Sequence, residues 1–255
     1  MSINKKNSEE KEMQFEKEKS TDMDKVKAVA KHMLHMPIVK GEFWPVVAQH
    51  PFASSGSFTY TDENGELKWG ELEEDTPDYD CFIKSRTELI ERAESAPQLA
   101  CWLNKPWRPL FAKLVALYCS KADLSEIMAC VLCETERLNC DPNCSPAEIV
   151  RLIKACDKAI LMGEDFEAYK MLPDTIKVYR GVTSFYYRNR SAISWTTDIE
   201  TAKFFATRYD EKGIIFSAEI EKKHVLAYFE YESTVVLEPR YLKNNSVFAE
   251  YGTEY

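Results

Sequence analysis

Apolar positions along this chain follow two periods, and the change between them falls near residue 172. From Cys81 to Leu172 they recur at i, i+3 and i+4, the spacing of one helix face, which predicts helices over residues 82–96, 107–119 and 124–138. Ser145-Pro146-Ala147-Glu148 opens a further helix, with Ser145 as N-cap, Pro146 in the first turn and Glu148 in capping-box position. Its Ile149, Leu152, Ile153 and Ala155 face inward. Beyond Leu172, short β-branched and aromatic runs predict strands over 176–180, 192–196, 213–218, 225–228 and 233–237. Asp198 stands where it caps a helix between the second and third of these, carrying Ala202, Phe204, Phe205 and Ala206.

Residues 1–21 are a Lys/Glu polyampholyte with few large apolar groups, too few to offset the entropy of ordering them, and are expected to be a disordered tail. Thr21 or Asp22 caps a helix running to about Leu34, with Val26, Val29, Ala30, Met33 and Leu34 on one stripe, and Pro37 stops it. Alternating Ser57-Phe58-Thr59-Tyr60-Thr61 and Glu66-Leu67-Lys68-Trp69 flank Asp62-Glu63-Asn64-Gly65, which predicts a β-hairpin near 57–69. The acidic stretch 62–80, with Glu71, Glu73, Glu74, Asp75 and Asp78 against Lys68, reads as a solvated loop; the alternative is an acidic surface for a basic partner. The expected class is therefore α+β: a tail, a mainly helical region over 22–171, and a mixed-β core over 172–255.

Composition narrows the function classes. The chain has 255 residues, long enough for a full core, and 45% hydrophobic with 29% charged residues is the profile of a globular protein. A net charge of −9 argues against a protein that coats nucleic acid, although it leaves room for a local basic cleft. No apolar run is long enough to span a bilayer and the Lys/Glu-rich start lacks the apolar stretch of a secretory signal, so the expectation is a cytoplasmic protein without membrane partners. Cys130-x-x-Cys133 with Cys140 and Cys144 raises a zinc site, but Cys130 and Cys133 fall in a helical pattern. The eight cysteines are expected to be mostly reduced thiols packed in the core, and no metal is expected. The histidines, including the His32/His35 pair, read as surface or packing residues.

Three segments carry candidate chemistry: Val178-Tyr179-Arg180-Gly181, Ser194-Trp195-Thr196-Thr197-Asp198 and Glu232-Ser233-Thr234-Val235-Val236-Leu237. An arginine ending a strand, a Ser-x-Thr on a second and a carboxylate opening a third resemble, in that order, the Arg-Ser-Glu class of ADP-ribosyltransferases, over about residues 172–242. The segment Ser194-Trp195-Thr196-Thr197-Asp198 followed by Ala202, Phe204, Phe205 and Ala206 resembles bacterial and phage members. The strand order matches the catalytic half of that family better than a doubly wound sheet, and no Gly-rich dinucleotide loop is present, so a Rossmann site is excluded.

The resemblance implies a mono-ADP-ribosyltransferase that takes NAD as co-substrate, cleaves its nicotinamide–ribose bond and transfers ADP-ribose to a macromolecular acceptor, protein or nucleic acid. It also implies a setting among toxins or phage–bacterium conflict proteins. NAD would be held by Tyr179, Arg180, Gly181, Ser194, Trp195, Thr196 and Phe205. Arg180 meets the pyrophosphate, because a guanidinium forks onto phosphate oxygens, and Gly181 lets the nicotinamide amide approach the backbone. Phe204 and Phe205 read mainly as core, one of them touching nicotinamide. Arg180, Ser194 and Glu232 are the catalytic set. The family's Glu-x-Glu puts the catalytic carboxylate where this chain has Thr234. A shift or bulge that brings in Glu232, service by Glu238, and an impaired protein are the competing explanations. Two other functions share the cleft: an ADP-ribosyltransferase-like binding protein, and an NAD glycohydrolase with water as acceptor.

Overall fold

The computed structural model describes residues 19–62, 64–135, 138–183, 191–208 and 213–251. Most of the predicted tail, and the side chain of Cys140, lie outside them. Helices and strands segregate as the two periods require, so the class is α+β. The helical part comprises α1 (Met23–Leu34), α2 (Pro77–Glu91), α3 (Ala96–Trp102), α4 (Arg108–Val115), α5 (Lys121–Glu134), α6 (Pro146–Ala155), α7 (Lys158–Met162) and α8 (Asp165–Met171). Two small sheets are inserted in it, β1 (Val39–Lys40) with β2 (Ala48–Gln49) and β3 (Ser57–Thr61) with β4 (Leu67–Glu71).

Caps written in the sequence set the helix starts. Asp22 accepts from the Lys25 amide and Ser120 from the Asp123 amide, at 3.2 and 3.0 Å. Ser145 and Glu148 form the expected capping box, and Lys113 bonds Glu148 at 2.8 Å. That lysine, with the Ser145 amide and hydroxyl, holds the Glu148 carboxyl down to about 2. The hairpin turn is fixed by Asp62, whose Oδ1 accepts from the Asn64 and Glu66 amides, each at 2.9 Å, with Gly65 at φ 81°.

Several expectations need correction. Residues 19–21 do not belong to the tail. The Lys19 ammonium donates to the Leu117 carbonyl, the Thr21 hydroxyl bonds Asp123, and the Ser120 amide donates to Thr21 Oγ1 at 2.7 Å. The acidic stretch 62–80 is not one loop: it contains β4 and the start of α2, capped by Thr76, with Asp78 accepting from the Glu71 amide at 3.0 Å. The helix predicted over 82–96 begins earlier, at Pro77, and stops at Glu91; Ser95, still inside the predicted span, caps a separate helix, α3. The thiols are less uniformly buried than expected: Cys119, Cys144 and Cys156 are in the core, but Cys101 and Cys133 are exposed. His50 is a packing residue, fully buried, with Nδ1 accepting from the Phe52 amide and its other nitrogen 3.1 Å from the Leu34 carbonyl.

The second part is a six-stranded sheet in the order β10-β7-β5-β6-β9-β8, from β5 (Thr175–Thr183), β6 (Ser194–Thr196), β7 (Gly213–Glu221), β8 (Val225–Phe229), β9 (Thr234–Leu237) and β10 (Lys243–Tyr251). Every ladder is antiparallel, so the sheet is not mixed in direction as the sequence reading had it. One face lies on the helical part. Val178, Val182, Trp195, Phe216, Ala218 and Val235 join the same buried cluster as Phe82, Phe111 and Ile127. The other face carries α9 (Ile199–Thr207), capped by Asp198 as expected. Polar ties reinforce the junction. Lys158 donates to the Val225 carbonyl at 2.8 Å, Lys154 pairs with Glu238 at 2.7 Å, and the Ile193 amide donates to Asn139 Oδ1 at 2.8 Å. Among the described residues no helix is long and apolar enough to cross a membrane.

Candidate functional site

The three segments singled out in the sequence lie on neighbouring strands. β6 stands between β5 and β9, with Tyr179 opposite Thr196 and Thr196 opposite Thr234, a single row across three strands. Two hydrogen bonds knit the segments further. Arg180 Nη1 donates to the Ser194 carbonyl, and the Thr196 hydroxyl donates to the Glu232 carbonyl at 3.1 Å while accepting from the Asp198 amide at 3.0 Å. The Thr197 amide donates to the Ser233 carbonyl at 2.9 Å, which ties the end of β6 to the entry of β9.

Side-chain direction separates the residues that the backbone unites. Successive residues of a strand point to opposite faces. Tyr179, Ser194 and Thr196 therefore share the α9 side, whereas Arg180 and Trp195 leave from the side of the helical core. Arg180 is half-buried opposite the buried Phe216 and reaches Ser194 through the backbone. Trp195 is 3% exposed and its indole N–H donates to the Ala192 carbonyl at 2.9 Å, so it is a core residue with no surface for a ligand. Gly181 and Gly213 have no side chains because the backbone of α9 fills their place. A Cβ on Gly181 would stand 1.8 Å from the Ala202 carbonyl oxygen, and one on Gly213 would stand 1.7 Å from that of Ala206. Gly181 thus seats the helix, where the sequence reading gave it to nicotinamide.

The aromatic residues lie around α9. Tyr179 is half-buried, edge-on to Phe248 at 5.4 Å, with the Lys177 ammonium 5.4 Å above its ring. Phe205 is half-buried beneath Arg208 at 5.3 Å and meets Phe204 edge-on. Phe204 is 63% exposed, which overturns its assignment to the core.

The carboxylates part company. Glu232 is not on a regular strand. Residues 230–233 form the turn between β8 and β9, closed by the Ser233 amide on the Glu230 carbonyl at 3.0 Å, with Ser233 left-handed at φ 49°. That residue breaks the alternation and leaves Glu232 exposed on the turn, while Thr234 holds the row beside Thr196. Although Cys133 is exposed as a residue, partial desolvation of its thiol pushes it up, and Asp165, Glu134 and Glu232 lie near enough to add to that push. Glu238 is committed elsewhere. It is 6% exposed and bonded to Lys154 at 2.7 Å and Arg240 at 3.0 Å, beside His224, whose ring stacks on Tyr241 at 3.5 Å. Burial raises its carboxyl, but the two cations outweigh burial and hold it below its ordinary value. Glu238 thus belongs to a structural ion cluster just past the far end of β9, with its carboxylate taken by two cations and away from the row of Thr196 and Thr234, which speaks against service as the catalytic carboxylate.

Sequence reasoning missed Asn139, which anchors the start of β6, and the ion cluster around Glu238. Neither has a local signature, because each depends on a partner more than fifty positions away. Among the described residues no group of three or more His, Cys, Asp or Glu side chains is placed to hold a metal ion. Compared with protein-family models, curated proteins and solved structures, the chain matches none.

Proposed function

We propose that this chain is an ADP-ribosyltransferase-like NAD enzyme, with Arg180 and Glu232 on either side of the Ser194–Thr196 strand. The observation that carries the reading is the pair of hydrogen bonds joining the three segments, Arg180 to Ser194 and Thr196 to Glu232. Segments far apart in sequence converge on adjacent strands in the order the chemistry needs: a cation for phosphate, hydroxyls to shape the cleft, a carboxylate for the ribose.

The fit to NAD is partial. A half-buried guanidinium on the helical-core side, a half-buried Phe205 beside an exposed Phe204 on the α9 side, and an exposed carboxylate on the turn are the groups offered to a dinucleotide that reaches around the ends of the central strands β5, β6 and β9. Trp195 and the filled position at Gly181 do not contribute. In transfer, the bond between ribose and nicotinamide breaks with its electron pair leaving on nicotinamide, and positive character develops at the ribose. A carboxylate there stabilises that charge, which is the role given to Glu232. Arg180 positions the phosphates and the Ser194 and Thr196 strand orients the turn.

The test is incubation of the full chain with labelled NAD and a cell lysate. Label on macromolecules supports transfer, and free ADP-ribose supports hydrolysis. Calorimetric titration of Arg180→Ala with NAD, run beside circular dichroism because Arg180 also ties β5 to the Ser194 carbonyl, checks the anchor: a bidentate charged contact contributes about 1.5–3 kcal/mol, so affinity should fall about tenfold to a hundredfold. Unchanged affinity removes Arg180 from the site. One observation favours a second reading, a binding module without turnover: Thr234 occupies the strand position beside Thr196, and the nearest acidic side chain in sequence is out on the turn.

A further inference from the structure

Outside that sheet, the β3–β4 hairpin and the loop before it leave an unusual surface. Trp69 and Leu67 are 72% and 75% exposed on the outer face of β4, and Phe43 and Val46 are 68% and 75% exposed on the loop. The register explains the exposure. Phe58 and Gly70 pair on the inner face, where Phe58 fills the space a side chain at 70 would need. Thr59 and Trp69, with Ser57 and Glu71, pair on the outer one. Between the loop and the hairpin lies a cavity of about 260 Å³ whose walls include Trp44, Pro45, Trp69, Glu71 and Glu73. Two indoles and two carboxylates are the recognition set for an organic cation: the ring faces attract the charge and the carboxylates neutralise it.

The protein already uses that chemistry on itself. The Lys40 ammonium stands 4.8 Å above the Trp44 ring and bonds Glu73 at 3.2 Å. Trp69 and Glu71, in the opposite wall, have no such cation against them among the ion pairs and ring contacts of the described residues. The net charge of −9 adds long-range attraction for a basic ligand.

We propose that this cavity takes the side-chain ammonium of a lysine in a basic segment of a partner protein, held between Trp69 and Trp44 and neutralised by Glu71 and Glu73. Lys40 competes for Glu73, so it tempers the affinity. The site is independent of the NAD reading, since none of its residues lies on the six-stranded sheet.

The experiment is calorimetric titration of the full chain with an acetylated, amidated pentalysine peptide, with pentaglutamate as control. Saturable one-site binding of pentalysine alone is expected. Trp69→Ala should weaken it about tenfold, the scale of a partly desolvated cation–π contact, and Trp69→Phe should restore most of it. Glu71→Gln should weaken it severalfold, and Lys40→Ala should strengthen it by freeing Glu73. Trp69 is exposed, so its removal leaves the fold intact, which circular dichroism checks. The proposal is overturned if pentalysine fails to bind, or if it binds Trp69→Ala as well as the parent, which would mark general attraction to an acidic protein. Self-association that Trp69→Ala abolishes while peptide binding is absent would assign the surface to a second copy and equally overturn it.

Discussion

Replacing Gly181 by alanine isolates the contact on which the sheet and α9 depend. A Cβ there would stand 1.8 Å from the Ala202 carbonyl oxygen, 2.7 Å from the Ala206 nitrogen and 2.8 Å from the Ala202 carbonyl carbon. Real Cβ atoms stay beyond 3.0 Å from such neighbours, so the helix must retreat by more than an ångström. The atoms in the way are backbone, with no flexible side chain to rotate aside. Retreat strips contacts from Ala202, Ala206 and Ile215, the small cluster beneath α9, and pulls on the Asp198 cap. Overpacking of this kind costs about 1–3 kcal/mol, and a backbone clash belongs at the upper end or beyond. At about 2–4 °C per kcal/mol for a chain of this size, the melting temperature should fall by about 6–12 °C. Gly41→Ala is the control, because a Cβ at Gly41 meets nothing within 4 Å. Scanning calorimetry of the two variants beside the parent decides the matter. If Gly181→Ala melts within about 2 °C of the parent, α9 is not seated on Gly181 and the glycine is free for a ligand.

Other consequences follow from the ion cluster and from the N-terminal anchor. Glu238→Gln should destabilise the protein at pH 7 by about 1–2 kcal/mol, less than a fully buried pair would lose, because the Lys154 and Arg240 side chains are themselves 44% and 67% exposed. The folded pKa of Glu238 lies below the ordinary 4.5, so this stability is present above pH 4.5 and is lost as the pH falls through the folded value. Denaturant melts of parent and variant should therefore converge in acid, and a constant difference from pH 7 to pH 3 refutes the pairing. Removing residues 1–21 should cost about 1–2 kcal/mol more than removing 1–18, because Thr21 links the entry of α1 to Ser120 and Asp123. Equal melting temperatures for the two truncations would show that the anchor contributes nothing.

Much of the fold was legible where a short-range rule decides the outcome. Asp22, Ser145 and Asp198 cap the helices they were expected to cap, and Asp62 with Gly65 closes the hairpin, because each acts on amides a few residues away. Strands β5, β7 and β8 were found from their buried apolar runs. β10 was missed, since Lys243, Asn244, Asn245 and Ser246 are exposed and carry no alternation; it is held by pairing to β7 at the sheet's edge. Ser95 was overlooked as a cap because apolar spacing runs on through Ala96. The candidate site was legible as three segments but not as a geometry. Nothing near Gly181 in sequence says that Ala202 and Ala206 will lie against it, and nothing in Glu232-Ser233-Thr234 announces a left-handed serine, a conformation disfavoured for residues with a side chain.

That serine sets the hardest question for the proposed chemistry, namely which position on the third segment acts. Thr234 lies in the row with Thr196 and Tyr179, where a carboxylate would sit beside the hydroxyl strand, and threonine cannot carry the charge. Glu232 carries it, on a turn whose backbone Thr196 holds at 3.1 Å. If Glu232 stabilises the ribosyl cation, Glu232→Gln keeps the shape, leaves NAD binding intact and removes the effect, and transfer should fall by about 10²–10³, the usual worth of one well-placed electrostatic group. Thr234→Glu then adds little, because a second carboxylate beside the first competes with it for the same charge. If the strand position is instead a vacated one, the pattern inverts: Glu232→Gln changes nothing, and Thr234→Glu raises activity by a comparable factor. Rates for both variants, with NAD affinity measured alongside to separate binding from turnover, distinguish the two arrangements. Transfer that survives in Glu232→Gln would remove the turn carboxylate from the mechanism.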